Sequence, residues 1–272
     1  MKFYYYLFLF LLFSCNADKD YDAFENKLKN LLKSHKGTFA IALKNMNDGK
    51  SVLINENEVF HAASTMKTPV MIEFFKKINE GKISSDDSLL INNKFSSIVD
   101  GSKFELSSFD DSDEDIYENL GKYISTDKLV YDMITRSSNF GTNLLINYLN
   151  AEDVNNTMKN IGAKNMKVLR GVGDLKAFDL GLSNTTTAAD LLIIYEKLAM
   201  GKIVNNESSN KMIRILKDQV YNDIIPKYLP EKVEVAHKTG WISGVRHDSG
   251  IVYVGNNEKY ILCLLYTSDA AD

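Results

Sequence analysis

Apolar and polar positions near the start of the chain predict a helix followed by a β-hairpin. Over residues 24–32 the apolar side chains recur at helical spacing, at Phe24, Leu28, Leu31 and Leu32. The predicted helix ends near Gly37. Residues 38–44 and 51–55 are predicted to be two strands, and the Asn-Asp-Gly content of the turn between them favours a hairpin.

A second helical pattern begins at Ser64 and is predicted to end at Gly81. Its apolar stripe consists of Met66, Val70, Phe74 and Ile78. Pro69 falls within the first turns of this helix, where the missing N–H of a proline costs least. An amphipathic helix of this kind is expected to bury its apolar face against a sheet.

The middle of the chain, from about Asp86 to Leu229, is predicted to be mainly helical. The predicted helices include 142–149, 151–161 and 187–200. Strand patterns return over 233–238, 249–254 and 259–262, with a turn at Asn256 and Asn257. We therefore predict an α/β (α+β) fold with one antiparallel sheet built from the N- and C-terminal strands, flanked by helices and carrying an inserted helical lobe.

The composition is that of a globular protein, with 272 residues, 44% hydrophobic and 25% charged. The net charge of −4 and the pI near 5.7 give no reason to expect nucleic acid as a partner. One acidic run lacks the glycine and the terminal glutamate of a calcium loop, and it is predicted to be a solvated surface loop. The run consists of Asp110, Asp111, Asp113, Glu114 and Asp115.

Residues 1–15 have the pattern of an export signal. Lys2 precedes an apolar stretch over 3–13 that is too short to span a membrane. The segment ending at Cys15 resembles the lipobox of bacterial lipoproteins, in which the cysteine is lipidated, and an ordinary cleaved signal is the alternative. Both interpretations predict a periplasmic or outer cell-envelope protein, and residues 16–22 are predicted to be a polar tether.

The last ten residues, 263–272, look like the translation of an adapter used in DNA sequencing. On that interpretation the chain is truncated and the folded domain covers 23–262. The alternative is a natural C-terminal strand, since residues 260–266 are apolar enough to form one. With Cys263 excluded, no cysteine pair is left for a structural disulfide.

Three short polar clusters carry the chemical signal of the chain. They are Ser64-Thr65-Met66-Lys67, Ser137-Ser138-Asn139 and Lys238-Thr239-Gly240. Each cluster is common alone, but the three in this order indicate one active site.

Ser64 and Lys67 stand three residues apart at the start of a helix and therefore share a face. A serine needs a base to become a nucleophile, and a lysine whose pKa is lowered by burial can serve. The alternative is that Ser64 is only a helix cap and Lys67 a surface residue.

The other two clusters contain groups that can protonate a leaving nitrogen and bind a substrate carboxylate. The Ser137 hydroxyl can pass a proton to a leaving nitrogen, and the Asn139 amide can bind a substrate carbonyl. Lys238 and Thr239 can hold a carboxylate, while Gly240 lets a substrate backbone approach closely. Taken alone, each of these two clusters is more often part of a loop, a helix cap or the end of a strand.

Together, from about Phe24 to Leu262, these motifs resemble the serine β-lactamase and penicillin-binding protein superfamily, class A in particular. The resemblance implies that Ser64 is the acylated nucleophile. It also implies roles for Lys67 as base or proton relay, Ser137 as proton shuttle, Asn139 as a substrate-amide ligand, Lys238 and Thr239 as carboxylate ligands, and the N–H groups of Ser64 and Trp241 as the oxyanion hole. Members of that family end in a helix covering the sheet, which this chain is expected to lack by truncation.

Two departures from the class A pattern bear on the chemistry. Ser138 stands where those enzymes carry an aspartate. The loop over 170–185 has no glutamate to activate a deacylating water. Asp174 is the candidate replacement, while Asp179 is expected to pair with Arg170. Loss of a positioned base typically costs about a hundredfold to ten-thousandfold in rate, so we predict slow deacylation.

Four further residues lie beside the motifs. Arg246 and His247 are predicted to lie in the turn before the strand over 249–254, close enough to help Lys238 bind a carboxylate. The sequence leaves open which of the two points inward, and the equal alternative for Arg246 is an exposed turn residue. His61 and His237 are predicted to be packing residues, because this chemistry needs no histidine.

The first functional hypothesis is a class A-like β-lactamase acting on small β-lactams. A second is a D-alanyl-D-alanine peptidase or another cell-envelope acyl hydrolase acting on a peptidoglycan stem peptide. A third, of a different class, is a lipid-anchored binding protein without catalysis. A monomer is expected, and no metal or other cofactor is expected, since no ligand cluster has usable spacing.

Overall fold

Both ends of the chain meet in one antiparallel sheet of five strands. In the computed structural model, which describes residues 17–255 and 258–268, these strands are β1 (Thr38–Asn45), β2 (Ser51–Ile54), β9 (Glu234–Ile242), β10 (Val245–Val254) and β11 (Glu258–Thr267). Their spatial order is β2–β1–β11–β10–β9. The predicted hairpin and the predicted sheet built from both termini are confirmed.

β11 is the central strand, with β1 on one side and β10 on the other. Leu264, for example, pairs with Ile41 and with Asp248. The strand runs past Leu262, the predicted end of the domain, to Thr267, because its apolar residues have a partner strand on both sides. The folded domain therefore extends beyond 262, and the adapter origin of 263–272 stays a prediction. The predicted turn at Asn256 and Asn257 lies outside the described residues.

One face of the sheet is covered by the helix α1 (Ala17–Leu32). Its buried side chains Phe24, Leu28 and Leu32 pack with apolar residues of the sheet, among them Leu43 and Val252. The tether predicted over 16–22 is therefore helical from Ala17 onward, because this helix has a sheet to pack against. The predicted signal over 1–15 and Cys15 lie outside the described residues. Of the helices in the described ranges, none has the length and apolar character that crossing a bilayer requires.

The helix predicted from Ser64 is divided in two, and its first turn contacts β9 and β10 of the sheet. A 3-10 turn (Ala63–Met66) precedes α2 (Lys67–Asn79). The turn is tight because the Thr65 N–H and hydroxyl both donate to the Ala62 carbonyl, at 3.1 and 2.6 Å. Gly81, at φ +67°, follows the helix as predicted.

The middle of the chain forms the predicted helical lobe and its connections. The helices are α3 (Thr126–Thr135), α4 (Asn139–Leu149), α5 (Ala151–Ile161), α6 (Leu175–Asp179), α7 (Ala188–Ala199) and α8 (Asn206–Lys217). The short elements are β3 (Phe60–His61), β4 (Ser88–Leu90), β5 (Phe95–Ser96), β6 (Lys103–Phe104), β7 (Tyr123–Ser125), β8 (Thr185–Thr186), and 3-10 turns at Ser108–Asp110, Glu114–Asn119 and Pro226–Tyr228. α5 has its predicted bounds. α4 begins at Asn139 rather than Thr142, because the Ser138 hydroxyl caps it by accepting from the Gly141 N–H at 3.1 Å.

The acidic run predicted to be a solvated loop is partly buried. The Asp111 carboxylate accepts from the N–H groups of Asn139 and Phe140, at 2.9 and 2.8 Å. These N–H groups have no partner within the helix, so a carboxylate at this end is stabilising. Asp113 is buried as well. The prediction was therefore wrong for these two residues, and Asp111 helps to fix the start of α4.

A long loop over 170–184 connects the lobe to β8, and two asparagines hold it. Asn184 accepts from the N–H groups of Leu169 and Arg170, at 2.8 and 3.2 Å, and donates to the Arg170 carbonyl at 2.9 Å. Asn143 of α4 accepts from the Val172 N–H at 2.6 Å and donates to the Val172 carbonyl at 2.8 Å. Side-chain amides thus supply the main-chain partners that a loop lacks.

The predicted ion pair between Arg170 and Asp179 was wrong. The buried Arg170 guanidinium donates to the carbonyls of Leu182 and Gly171, at 2.9 and 3.1 Å. Asp179 is the last residue of α6 and is exposed. The arginine finds its acceptors in the backbone of its own loop, which is closer to a buried donor than an exposed carboxylate.

We expect Asn143→Ala to release this loop, because it removes both hydrogen bonds to Val172 and leaves the Val172 N–H and carbonyl without these partners. The free energy of unfolding should fall by about 1–3 kcal/mol. Limited proteolysis with mass analysis should show faster cutting within 170–184. Asn147→Ala is the matched control, since Asn147 lies one turn further along the same helix and is exposed. Equal cutting in both variants would contradict the assigned role of Asn143.

Candidate active site

Ser64 lies at the wall of a cavity of about 900 Å³ between the sheet edge, the helical lobe and the loop over 170–184. It is half-buried in the 3-10 turn before α2. The preceding residue, Ala63, has φ +44°, in the left-handed region that alanine rarely adopts. The turn therefore holds Ser64 on a strained backbone at the cavity surface.

Strand β9 approaches Ser64 closely at Gly240. A Cβ atom at position 240 would lie 3.2 Å from the backbone nitrogens of Ser64 and Thr65. Such a distance is tighter than ordinary van der Waals contact, so glycine allows the strand to come this near. The third motif thus meets the first at the level of the backbone.

Lys67 is fully buried one helical turn after Ser64, and its amine has three acceptors. They are the Ser137 carbonyl at 2.7 Å, the Ser137 hydroxyl at 3.1 Å and the Asn139 amide oxygen at 2.9 Å. Burial lowers the pKa of Lys67 to about 7, against a smaller opposing effect of Asp111. The amine is therefore divided between its charged and neutral forms near neutral pH.

Lys238 is also fully buried and approaches the same hydroxyl. It donates to Ser137 Oγ at 3.1 Å and to the Thr239 carbonyl at 3.0 Å. Burial, followed by the charge of Lys67, holds the pKa of Lys238 well below its usual range, and Asp248 opposes this shift. Ser137 itself lies at φ +60°, a left-handed conformation that directs its hydroxyl and carbonyl to Lys67. Because its oxygen accepts from two amines, its proton is free to be donated.

The structure brings the three sequence motifs to one cavity. Ser64, Ser137, Asn139, Thr239, Gly240, Trp241, Arg246 and Asp174 line it, and Lys67 and Lys238 lie beneath it through their bonds to Ser137. In the described part of the chain, the acceptors of the Lys67 amine are on Ser137 and Asn139, not on Ser64. The Asn139 amide also donates to the Asp110 carbonyl at 3.2 Å.

Arg246 and His247 do not lie in a turn, contrary to prediction. β10 begins at Val245, and Arg246 pairs across the strands with Trp241. The Arg246 guanidinium contacts Asp223 at the cavity mouth. His247 is fully buried, donates to the His61 carbonyl at 2.9 Å, and has its pKa lowered to about 4 by burial. His247 therefore belongs to the sheet interior and not to the substrate side.

Asp174 lines the cavity but has its carboxylate occupied. One oxygen accepts from the Ile98 N–H at 2.9 Å, and the other from the Ala177 N–H at 3.2 Å, which caps α6. Burial raises the pKa of Asp174, but hydrogen bonds from the Ile98 N–H, the Ser97 hydroxyl and the Ala177 N–H outweigh it and leave the pKa below its usual range. This geometry favours a structural role over that of a general base.

His237 and Asp248 form a buried pair that resembles part of a catalytic triad but lies on another face. Alternation along β9 directs His237 away from the side of Lys238. His237 contacts Asp248 at 2.8 Å and Asn222 at 3.1 Å, and Asp248 also accepts from the Ile225 N–H at 3.0 Å. The pair therefore attaches the cavity-lining segment 221–225 to the sheet.

Sequence reasoning missed several residues that shape the site. Asn143 follows Asn139 by one helical turn, and this spacing could have placed it on the same side of α4. Asn184 and Val172, which lie at opposite ends of the loop, carry no comparable signal. Val172 lines the cavity together with Ser64, and Asn143 fixes its backbone.

Comparisons with known proteins agree with this geometry. The model of the β-lactamase enzyme family matches residues 23–272. β-Lactamase BRO-1 of Moraxella catarrhalis is 24% identical over 254 residues, which cover 89% of this chain and 76% of that protein. Among solved structures, PBP-A is 25% identical with a TM-score of 0.77 over 91% of this chain and 88% of its own. A mutant of PBP-A, solved as an acyl-enzyme complex with penicillin G, matches equally well.

The TLA-1 extended-spectrum β-lactamase shares the fold, at 19% identity and a TM-score of 0.78 over 92% of this chain and 91% of its own. The family match covers nearly the whole described fold, including all three polar motifs. The chain therefore belongs to the β-lactamase enzyme family, whose members are hydrolases.

Proposed function

We propose that this protein is a serine hydrolase that opens β-lactam amides through an acyl-enzyme on Ser64 and releases the acyl group slowly. The observation that carries the proposal is the convergence of two buried amines, those of Lys67 and Lys238, on the Ser137 hydroxyl beside Ser64. Similarity to BRO-1 and to PBP-A supports it.

In the first step, the Ser64 oxygen bonds to the amide carbonyl carbon and the carbon–nitrogen bond breaks. The Ser64 proton passes to the neutral Lys67 amine. A proton is then delivered from Lys67, through the Ser137 hydroxyl, to the leaving nitrogen. A pKa near 7 suits Lys67 to both halves of this transfer. Water then takes the acyl group from Ser64, and a proton returns to the serine oxygen.

The remaining site residues bind the substrate. The N–H groups of Ser64 and Trp241 stabilise the oxyanion, and Gly240 lets β9 approach closely enough for this. Lys238 and Thr239 hold the substrate carboxylate, with Arg246 at the cavity mouth. Because Arg246 contacts Asp223, its charge is shared between that carboxylate and the substrate. Asn139 binds the substrate amide.

Slow release follows from the wall that faces the acyl group. The loop over 170–184 has no glutamate, and both oxygens of Asp174 already accept hydrogen bonds. Without a glutamate or a free Asp174 carboxylate in this loop, no base positioned there deprotonates the water that attacks the acyl carbon. The absence of a base in this loop also favours a second candidate function, that of a D-alanyl-D-alanine peptidase. In that reaction Ser64 takes the acyl group from a stem peptide and D-alanine leaves.

We further propose that the protein is exported and anchored by a lipid on Cys15, in the periplasm or outer cell envelope. Lys2, the apolar stretch over 3–13 and the resemblance of the segment before Cys15 to a lipobox support this. A monomer is proposed for the catalytic domain.

A covalent penicillin adduct on Ser64 is the direct expectation. Benzylpenicillin should raise the intact mass of the protein by one acyl group, and the adduct should decay slowly after excess drug is removed. Ser64→Ala should form none, because the nucleophile is absent. Labelling of that variant at the wild-type rate would falsify the assignment. Release of D-alanine from a stem-peptide substrate, with a long-lived penicillin adduct, would favour the peptidase.

Acylation should accelerate as the pH rises through about 7, because only the neutral Lys67 amine can accept the Ser64 proton. A group with a pKa of about 7 gains about tenfold in its neutral fraction between about pH 6 and about pH 8. The initial rate of labelling by fluorescent penicillin measures this. Lys67→Arg keeps the charge but does not deprotonate, so it should lose acylation at every pH. A flat pH profile in the wild type would exclude Lys67 as the base.

Val172→Glu should shorten the life of the penicillin adduct. Val172 lines the cavity with Ser64 and its backbone is held by Asn143, so a carboxylate placed there gains a fixed position near the acyl group. The expected gain in release rate is about tenfold or more. Val172→Gln is the matched control, because it has the same shape without a base. Equal lifetimes for the two variants would show that the missing carboxylate is not what limits release.

A further inference from the structure

His61 lies three residues before Ser64 and occupies the end of β3. Its backbone pairs with Thr185 of β8, and its carbonyl accepts from His247 at 2.9 Å. Its ring nitrogen Nδ1 lies 3.0 Å from the Ala63 N–H and accepts from it. A nitrogen that accepts a hydrogen bond carries no proton, so this contact assigns the neutral ring with its proton on Nε2.

The residue held by this bond is the strained one. Ala63 has φ +44° and immediately precedes Ser64. A left-handed alanine persists only where neighbouring groups impose it. In the described chain, the side-chain acceptor for its N–H is the His61 ring.

We propose that His61 is a positioning residue, whose neutral ring holds Ala63 in its left-handed conformation and so keeps the Ser64 hydroxyl aligned for acylation. This inference rests on the function proposed above. It assigns to His61 a role in the reaction in place of the packing role predicted from the sequence. His61 acts through Ala63 and has no part in moving a proton to or from the substrate.

The surroundings keep the His61 ring neutral. Burial, followed by the nearby charge of Arg170 from the loop, lowers the pKa of His61. From α6 the Phe178 ring packs edge-on against the imidazole at 6.2 Å, and from β10 His247 faces the same backbone. The carboxylates in the cavity wall are Asp110, Asp174 and Asp223.

The direction of the pH effect follows from the donor at Ala63. Below the pKa of His61, Nδ1 gains a proton and faces the Ala63 N–H, so two donors meet and the bond is lost. Acylation should therefore fall on the acid side. His247 has its pKa lowered to about 4 and takes a hydrogen bond on Nδ1 from the Tyr266 N–H at 3.2 Å. His247 therefore stays neutral above about pH 5, and the loss of acylation due to Lys67 is separate from that due to His61.

His61→Asn and His61→Gln form a matched pair for the test. The asparagine oxygen reaches the place of Nδ1 and can accept from the Ala63 N–H, whereas the glutamine oxygen lies one bond further out. The full-length protein is labelled with fluorescent penicillin from about pH 5 to about pH 8, and circular dichroism checks folding. We expect the asparagine variant to keep most of the rate and the glutamine variant to lose about five- to tenfold at neutral pH.

The pH profile separates positioning from packing. Relative to the wild type, the asparagine variant should become faster as the pH falls below the pKa of His61, which burial holds under its usual value, since the asparagine amide does not titrate. Equal rates for the asparagine and glutamine variants would overturn the proposal. A wild type that takes no penicillin on Ser64 at any pH would instead overturn the proposed function and this inference with it.

A second measurement needs neither a variant nor activity. Nitrogen-15 chemical shifts of the histidine rings in the wild-type protein report which nitrogen carries the proton. We expect the His61 signal to be that of a neutral ring protonated on Nε2 at neutral pH. A proton on Nδ1 would refute the hydrogen bond to Ala63, and with it the positioning role, whether or not penicillin binds.

Discussion

The chemistry proposed for this protein depends on two fully buried lysines that share one serine hydroxyl. Lys67 and Lys238 each place an amine 3.1 Å from Ser137 Oγ. Two buried ammonium groups that share one acceptor oxygen repel each other, and burial alone already disfavours the charged form of both. Loss of a proton from one lysine relieves this repulsion. It leaves a neutral amine, which the proposed mechanism uses as the base for Ser64.

That arrangement constrains the rest of the fold. The first lysine comes from the start of α2, the second from the edge strand β9, and the hydroxyl from the corner between α3 and α4. The corner is fixed by Ser137 in a left-handed conformation and by Asp111, which caps α4. Because β9 belongs to a sheet that contains both chain termini, the position of Lys238 depends on the correct pairing of β10 and β11.

The loop over 170–184 closes the site without a glutamate, and its two charged cavity-lining groups, those of Arg170 and Asp174, already have hydrogen-bond partners. Asn143 and Asn184 hold its backbone through amide hydrogen bonds, and the Arg170 guanidinium is satisfied by carbonyls. A loop held in this way needs no acidic residue for its own stability, and Asp174 serves as a helix cap. The proposed slow deacylation and the proposed peptidase alternative share this physical origin, since neither requires a base in the loop.

Local rules predicted much of the architecture. The β-hairpin at the N-terminal end, the helix after Ser64 and the bounds of α5 follow from periodicity and turn residues, which act over a few positions. The order of the three motifs was sufficient to predict that Ser137, Thr239 and Gly240 share a cavity with Ser64. Predictions failed where a partner distant in the sequence decides whether a side chain is buried. Asp111, for example, accepts a hydrogen bond at a helix end 28 residues away.

The amino-acid sequence by itself determined most of the secondary structure and the identity of the reactive groups, because periodicity, caps and motifs are local. Only the tertiary structure decided which hydroxyl the lysines meet, which asparagines hold the loop, and that Arg246 lies in a strand beside Asp223. These outcomes depend on burial and on hydrogen-bond partners far apart in the chain. No pattern of neighbouring residues specifies such partners.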